Sequence, residues 1–299
     1  MKRKPLSGLK ILDLTRLLPG WFAANLLSEL GATILRVKPP VQKGSTLEKH
    51  FEGLFPSVTA RTIDLKTKEG GKIFEKLVRR SDVILENFRP GVLRRLGFGY
   101  DRLKKIRPGI ILCSITGYGQ SGPMSQAPGH DLNYLALSGL LDLNRDSKGR
   151  PVIPGFQVAD IAGGALTAVI QILAALRQKE GAHLDISMVK GAASLVARGH
   201  RKKKLPDFLR GSLARYNVYE TKDKKHLAVA CLEPKFWRNF CTAIRRPEWA
   251  NGVESFQYIG RGRHEELKKI LRSKNIQEWV QFFGEKEVCV TPVVRGSQE

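Results

Sequence analysis

Over the first two-thirds of the chain, short β-branched runs alternate with runs of helical spacing. That alternation restricts the fold more than any other feature. Residues 9–14, 32–37, 62–65, 82–86 and 109–115 read as strands, and 21–30 (stopped by Gly31) and 68–80 read as helices. Strands separated by helices pair in parallel through right-handed crossovers. The predicted fold class is therefore α/β, a parallel Rossmann-like sheet forming a large domain over 1–195. Residues 160–178 form the longest helical run, apolar almost all round and so expected to be buried, and 183–188 read as a further strand. Residues 196–215 are basic and broken by Gly and Pro, as an exposed linker would be. A smaller α+β domain is expected over 216–299, with a strand at 227–232 and helical runs from Pro234, His264 and Ile276.

A doubly wound sheet raises the question of a nucleotide. The turn after the first strand reads Thr15-Arg16-Leu17-Leu18-Pro19-Gly20. It lacks the spaced glycines that let backbone approach a pyrophosphate, and no Walker lysine loop occurs. The formal charge is +23, a field that attracts polyanions. Its clusters (Lys2-Arg3-Lys4, Arg79-Arg80, Lys104-Lys105, Arg201-Lys202-Lys203-Lys204) are not interleaved with aromatics, so nucleic acid is not expected as a partner. The longest apolar stretch, 165–176, is short and contains Gln171, so no membrane span is expected. Asp13 and Arg16 break the run behind the basic N-terminus, so no signal core forms. Cys113, Cys231, Cys241 and Cys289 are scattered without a CxxC pair. Neither a disulfide framework nor a zinc site is expected, and a cytoplasmic location fits.

Three segments could carry chemistry, and each also has a plainer explanation. In Gly129-His130-Asp131-Leu132-Asn133-Tyr134 a histidine opens an apolar helical run. The positive end of the helix can hold it neutral and able to accept a proton, or His130 or Asp131 simply caps the helix. In Val158-Ala159-Asp160-Ile161-Ala162-Gly163-Gly164, Asp160 starts the long helix, as a cap or as a working carboxylate. The glycines admit another backbone or a ligand. In Cys231-Leu232-Glu233-Pro234 a carboxylate ends a strand just before a proline that can start a helix.

Together these segments resemble the family III CoA-transferase superfamily over nearly the whole length. The resemblance is carried by Gly8-Leu9-Lys10-Ile11-Leu12-Asp13-Leu14 with Gly31-Ala32-Thr33, then Asp64-Leu65-Lys66, then Glu86-Asn87-Phe88-Arg89-Pro90-Gly91-Val92. It continues through Gly117-Tyr118-Gly119-Gln120-Ser121-Gly122-Pro123, Ala159-Asp160-Ile161-Ala162-Gly163-Gly164, Tyr216-Asn217-Val218-Tyr219 and Leu232-Glu233-Pro234-Lys235-Phe236-Trp237. Gly129-His130-Asp131 resembles the α-methylacyl-CoA racemase branch, because transferases typically lack that histidine.

The resemblance implies an acyl-CoA racemase with His130 and Asp160 as the two proton-transfer groups and Glu233 as the partner of His130. The alternative it implies is a CoA-transferase in which Asp160 forms an acyl anhydride and then a CoA thioester. Two acid–base groups flanking one carbon suit inversion next to a thioester, with backbone N–H groups near the start of the 160–178 helix as donors to the enolate oxygen. Coenzyme A enters as part of the substrate, with no covalently bound cofactor and no metal. The resemblance assigns CoA contacts to Ile63, Asp64, Leu65 and Lys66, to Arg89, and to Gly129, Asp131, Leu132, Asn133 and Tyr134. It also implies an interlocked homodimer, with Glu233 supplied by the other chain. Three departures stand out: Pro39 occupies the place of an adenine-stacking arginine, with Lys38 or Lys43 as substitutes; the family's C-terminal return segment is short or missing; and the 201–204 basic run and the +23 charge are unusual.

Overall fold

The computed structural model describes residues 3–40, 50–51, 53–55, 58–146, 148–178, 180–196, 211–252 and 263–295. The chain divides into two compact units, Met1–Arg198 and Gly199–Glu299. The 196–215 segment read as a linker lies mostly outside the described residues.

The first unit is a six-stranded parallel sheet: β1 (Lys10–Asp13), β2 (Thr33–Lys38), β3 (Thr59–Thr62), β4 (Val83–Glu86), β5 (Ile111–Thr116) and β6 (Ala182–Ser187), in spatial order β3-β2-β1-β4-β5-β6. β4 and β5 are buried along their whole length. That explains their near-continuous Val, Ile and Leu, since helices cover both faces. One face carries Ile11, Val83, Leu85 and Cys113 against α1 (Leu18–Glu29) and the long helix after β5. The other carries Leu12, Ile84 and Leu112 against α2 (Lys68–Val78), the short α3 (Val92–Arg95) and α4 (Tyr100–Ile106).

Local chemistry sets the helix ends. Thr67 caps α2 by accepting from the Gly70 N–H, Glu69 lies in its first turn, and Gly70, Phe74 and Val78 form its buried stripe. α5 (Asp131–Ser138) stops at Gly139, whose φ of 84° is the left-handed value that ends helices. The short α6 (Leu140–Leu143) follows.

The long helix, α7, runs over Ala159–Gln178 and opens with a wide π-helical turn over Ala159–Leu166. Its 20 residues are long and apolar enough to cross a bilayer by length and composition only, a test that the core helix of a soluble protein also passes. Ala168, Val169 and Ile172 are buried against the sheet, whereas Leu166, Ile170 and Leu173 are exposed. The expectation that the helix is buried all round therefore fails on one face. α8 (Met188–Leu195) crosses it: a Cβ on Gly163 would stand 2.6 Å from the Met188 carbonyl and 2.7 Å from the Ala192 nitrogen. Of the two options the glycine pair left open, Gly163 takes the backbone one.

The second unit is an antiparallel sheet, β7 (Tyr216–Glu220), β8 (His226–Ala230) and β9 (Val290–Pro292), with α9 (Pro234–Ala243), α10 (Arg263–Leu271) and α11 (Ile276–Gly284). Its core is aromatic. Trp237 stacks on Phe240, Phe240 on Phe283 and Phe283 on Trp279, at centroid spacings of 5.3–5.5 Å.

Candidate active site

The strand order turns back between β1 and β4, where the chain leaves β1 in one direction and returns in the other. In open parallel sheets ligands lodge beyond the carboxyl ends of strands at such a point. A cavity of ≈ 370 Å³ opens here, with Leu17 and Pro19 from the β1–α1 turn, Asn87, Phe88 and Arg89 after β4, and Thr116, Gly117 and Tyr118 after β5. Gly129, His130, Tyr134, Asp160 and Met188 complete its wall. Residues 30 apart in sequence, His130 and Asp160, thus line one space.

Asn87 ties the base of this cleft together. Its amide oxygen accepts from the Arg16 N–H at 3.0 Å and its amide nitrogen donates to the Arg16 carbonyl at 2.8 Å. Behind it, Asp13 is fully buried and paired with Arg36 at 2.8 Å, and Thr15 donates to the same carboxylate. The Arg36 guanidinium also lies 4.8 Å from the Trp21 ring centroid. Leu17 sits at φ 71°, an unusual conformation for a non-glycine residue, at the cavity edge.

His130 occupies the N-cap position of α5 in extended conformation, paired with Asn133 in a capping box. The Asn133 side chain accepts from the His130 N–H at 3.1 Å. The imidazole is exposed to the cavity and is fixed through its backbone. Tyr134 supports that backbone: its hydroxyl donates to the Gly129 carbonyl at 2.5 Å, and its ring fills the space where a Cβ on Gly117 or Gly129 would clash.

Asp160 is likewise no cap; it is itself capped. The Asp131 carboxylate accepts from the N–H groups of Asp160, at 2.9 Å, and Ala159, holding the start of α7 to the start of α5. Those two N–H groups are therefore occupied inside the chain and are not among the donors open to an enolate oxygen. Burial, and secondarily the charge of Asp131, push the Asp160 carboxyl up to about 7. A carboxyl there is present in both protonation states at neutral pH, as reversible proton transfer requires. Burial likewise raises Asp131, against the two N–H bonds it accepts.

The residues assigned to CoA fall into three groups. Arg89, Gly129 and Tyr134 line the cavity just described. Leu65 and Lys66 line a separate cavity of ≈ 360 Å³, together with Lys68, Lys72 and Glu75 of α2 and Arg102 of α4; Arg102 is ion-paired with Glu75 and Lys72 with Glu69, which leaves Lys66 and Lys68 as the cations open to a phosphate. The remainder have structural work. The Ile63 side chain is buried in the core, and Asp64 closes the turn before α2 by accepting from the Lys66 and Thr67 N–H groups. Asp131 holds α7, Leu132 is exposed outside the cavity, and Asn133 completes the α5 N-terminus. For Ile63 and Asp131, backbone is the part left to meet a ligand.

Glu233, in the second unit, is exposed at the N-cap position of α9 without a side-chain capping bond, and Pro234 opens the helix as anticipated. Leu17, Asn87, Phe88 and Met188 were not anticipated in the site. The signal available for Asn87 and Phe88 was their place just past the carboxyl end of a fully apolar strand.

Fold and cavity define an α/β protein with a candidate active site at the switch point of its sheet, and comparison with known proteins gives the family. The family model for CoA-transferase family III matches residues 6–298. Human alpha-methylacyl-CoA racemase is 33% identical over 307 residues, 97% of this chain and 78% of the relative. Human succinyl-CoA:glutarate CoA-transferase is 31% identical over 316 residues, 97% of this chain and 72% of the relative. Among solved structures, a CAIB/BAIF family protein from Brucella suis superposes with TM-score 0.80 at 25% identity, covering 98% of this chain and 85% of that one. Rv3272 from M. tuberculosis gives 0.79 at 27%, covering 96% and 83%. The chain belongs to CoA-transferase family III.

Proposed function

We propose that the protein is an acyl-CoA racemase or epimerase that interconverts 2-methylacyl-CoA stereoisomers by transferring the α-proton between two side chains. The observation that carries this reading is that His130 and Asp160 line one cavity at the switch point of the sheet. An α-proton of a thioester is weakly acidic, so inversion needs a base on one face and an acid on the other. Asp160, ionised, removes the proton from one enantiomer while protonated His130 delivers to the opposite face; the reverse reaction exchanges the roles. The Asp160 carboxyl near 7 is suited to both directions. The acyl chain would lie over Ile115, Met188 and Pro19, with CoA phosphates toward Arg89 and the lysines of α2.

Glu233 belongs to this reading as the carboxylate of a second copy that orients His130. The exposed Leu166, Ile170 and Leu173 of α7, with Val152, Ile153 and Phe156 before it, support a homodimer.

The second reading, CoA transfer between carboxylic acids through an Asp160 anhydride, rests on relatives of near-equal identity that carry that activity. A desolvated carboxylate is a stronger nucleophile, but one held near 7 is only partly ionised at neutral pH. Proton NMR of a 2-methylacyl-CoA in deuterated water separates the two. Deuterium enters C2 without any acceptor acid if the protein is a racemase, and the exchange disappears in His130→Ala. A folded protein that shows no exchange, yet moves CoA to an added acid, establishes the transferase reading instead.

A further inference from the structure

A larger cavity, ≈ 520 Å³, lies on the opposite face of the sheet from the catalytic one, the face that carries Leu112 and Leu93. Such a volume is within the range of small-molecule sites. Its floor is polar and built from three strands. Glu86 at the end of β4 is only 4% exposed, and its carboxyl accepts from the Phe88 N–H at 2.7 Å and from the Ser114 hydroxyl of β5. With its proton given to Glu86, Ser114 accepts at 3.0 Å from Nε2 of His183, on β6. The His183 ring stacks on Tyr100 at 5.5 Å. The rim carries two guanidinium groups, Arg89 and Arg94, and neither forms an ion pair with a described residue. Gln120 also lines the space, and its buried amide nitrogen has no hydrogen-bond partner there.

A buried donor without a partner calls for an acceptor, and the Gln120 amide nitrogen is one. The exposed guanidinium groups of Arg89 and Arg94 at the mouth add charge suited to an oxyanion. None of the reacting groups described above faces this space. The two cavities meet only at Arg89 and Pro90, which line both.

We propose that this cavity is a second ligand site, taking a small molecule that carries a carboxylate or phosphate group. Arg94 and Gln120 hold the oxyanion, and Glu86, when protonated, can donate to it from the floor. The charged and titratable groups that line the cavity with Glu86 are Arg89, Arg94, Tyr100 and Asp101 at the rim and His183 on β6; Asp185 acts on His183 from the same strand, and the Cys113 thiol lies on the other face of the sheet. Burial places the Glu86 carboxyl at about 7, so binding of an anion weakens as pH rises from 6 to 8. The occupant bears on the wall of the catalytic cavity through Arg89 and Pro90.

The test is calorimetric titration of the full chain with succinate and, separately, inorganic phosphate. One saturable site is expected for at least one probe, and its identity says which oxyanion the cavity takes. Affinity should fall about tenfold or more in Arg94→Gln, an exposed position that leaves the fold intact. It should be unchanged in His130→Ala, and for succinate, whose own ionisation is almost complete over this range, the fall between pH 6 and 8 should be reduced in Glu86→Gln. The proposal is overturned if neither probe binds saturably. It is equally overturned if Arg94→Gln has no effect, or if His130→Ala abolishes binding, which would locate the anion in the catalytic cavity.

Discussion

Replacing Asp131 by asparagine isolates one electrostatic contact without dismantling the helix junction. The amide oxygen of asparagine can still accept from the Asp160 N–H, so the start of α7 keeps its cap while a negative charge disappears. At an effective dielectric of about 20, two carboxylates ~5 Å apart repel by about 3 kcal/mol, an upper bound for this pair. Burial is the larger cause of the rise of Asp160 from 3.8 to about 7, so the Asp131 charge accounts for less than half of it. The Asp160 titration in Asp131→Asn is therefore expected to fall by about one pH unit, to near 6, equivalent to ~1.4 kcal/mol. Carboxyl 13C NMR reads this without any substrate, with Asp160→Asn supplying the assignment. The pH profile of α-deuterium exchange should move its acid limb by the same amount. An Asp160 resonance that titrates unchanged in the asparagine variant, with the helix junction intact, refutes the argument that Asp131 acts on it through charge.

The same carboxyl makes a stability prediction. Its folded-state pKa lies above its unfolded value, so between about pH 4 and pH 7 the unfolded chain binds fewer protons and stability falls as pH rises. Asp160→Asn should raise the melting temperature at pH 7.5, by a free-energy gain of no more than about 4 kcal/mol, and leave it unchanged at pH 4; a gain at both pH values would show the effect is not ionic. In Gly163→Ala, the new methyl meets backbone at 2.6 and 2.7 Å. The overpacked crossing should lose about 1–3 kcal/mol in denaturant titration, with a larger loss of activity at 25 °C than stability alone explains. A variant as stable and active as the parent would mean α7 and α8 can separate freely.

The parallel sheet was legible because β-branched runs punctuated by amphipathic ones leave few alternatives, and the apolar residues of β4 and β5 are too continuous for a strand with one wet face. Of the candidate site, the sequence marked His130 and Asp160, which line one cavity, and did not mark the contacts that hold them there. Sequence spacing shows His130 and Asp160 each at a helix start, where a capping carboxylate and a working one look the same. Only the structure shows that Asp131 takes the capping work of α7, which leaves the Asp160 side chain without a structural task. β7 and β9 escaped notice because three- and five-residue strands carry too little alternation to stand out, and α4 because its seven residues hold a single buried side chain. The apolar outer face of α7 misled in another way: composition reports that a surface avoids water, not which partner covers it.

The crossing of α7 and α8 has a consequence for how such an enzyme can diversify. Where Gly163 meets Gly191, no side chain intervenes, and the separation of the helices is set by main-chain atoms alone. Substitutions elsewhere on α7 can change its outer face, and with it whatever packs there, while the turn that bears Asp160 keeps its distance from the sheet. Precision and tolerance are thus assigned to opposite sides of one helix. A lineage can change what packs on the outer side without relearning where to put the carboxylate.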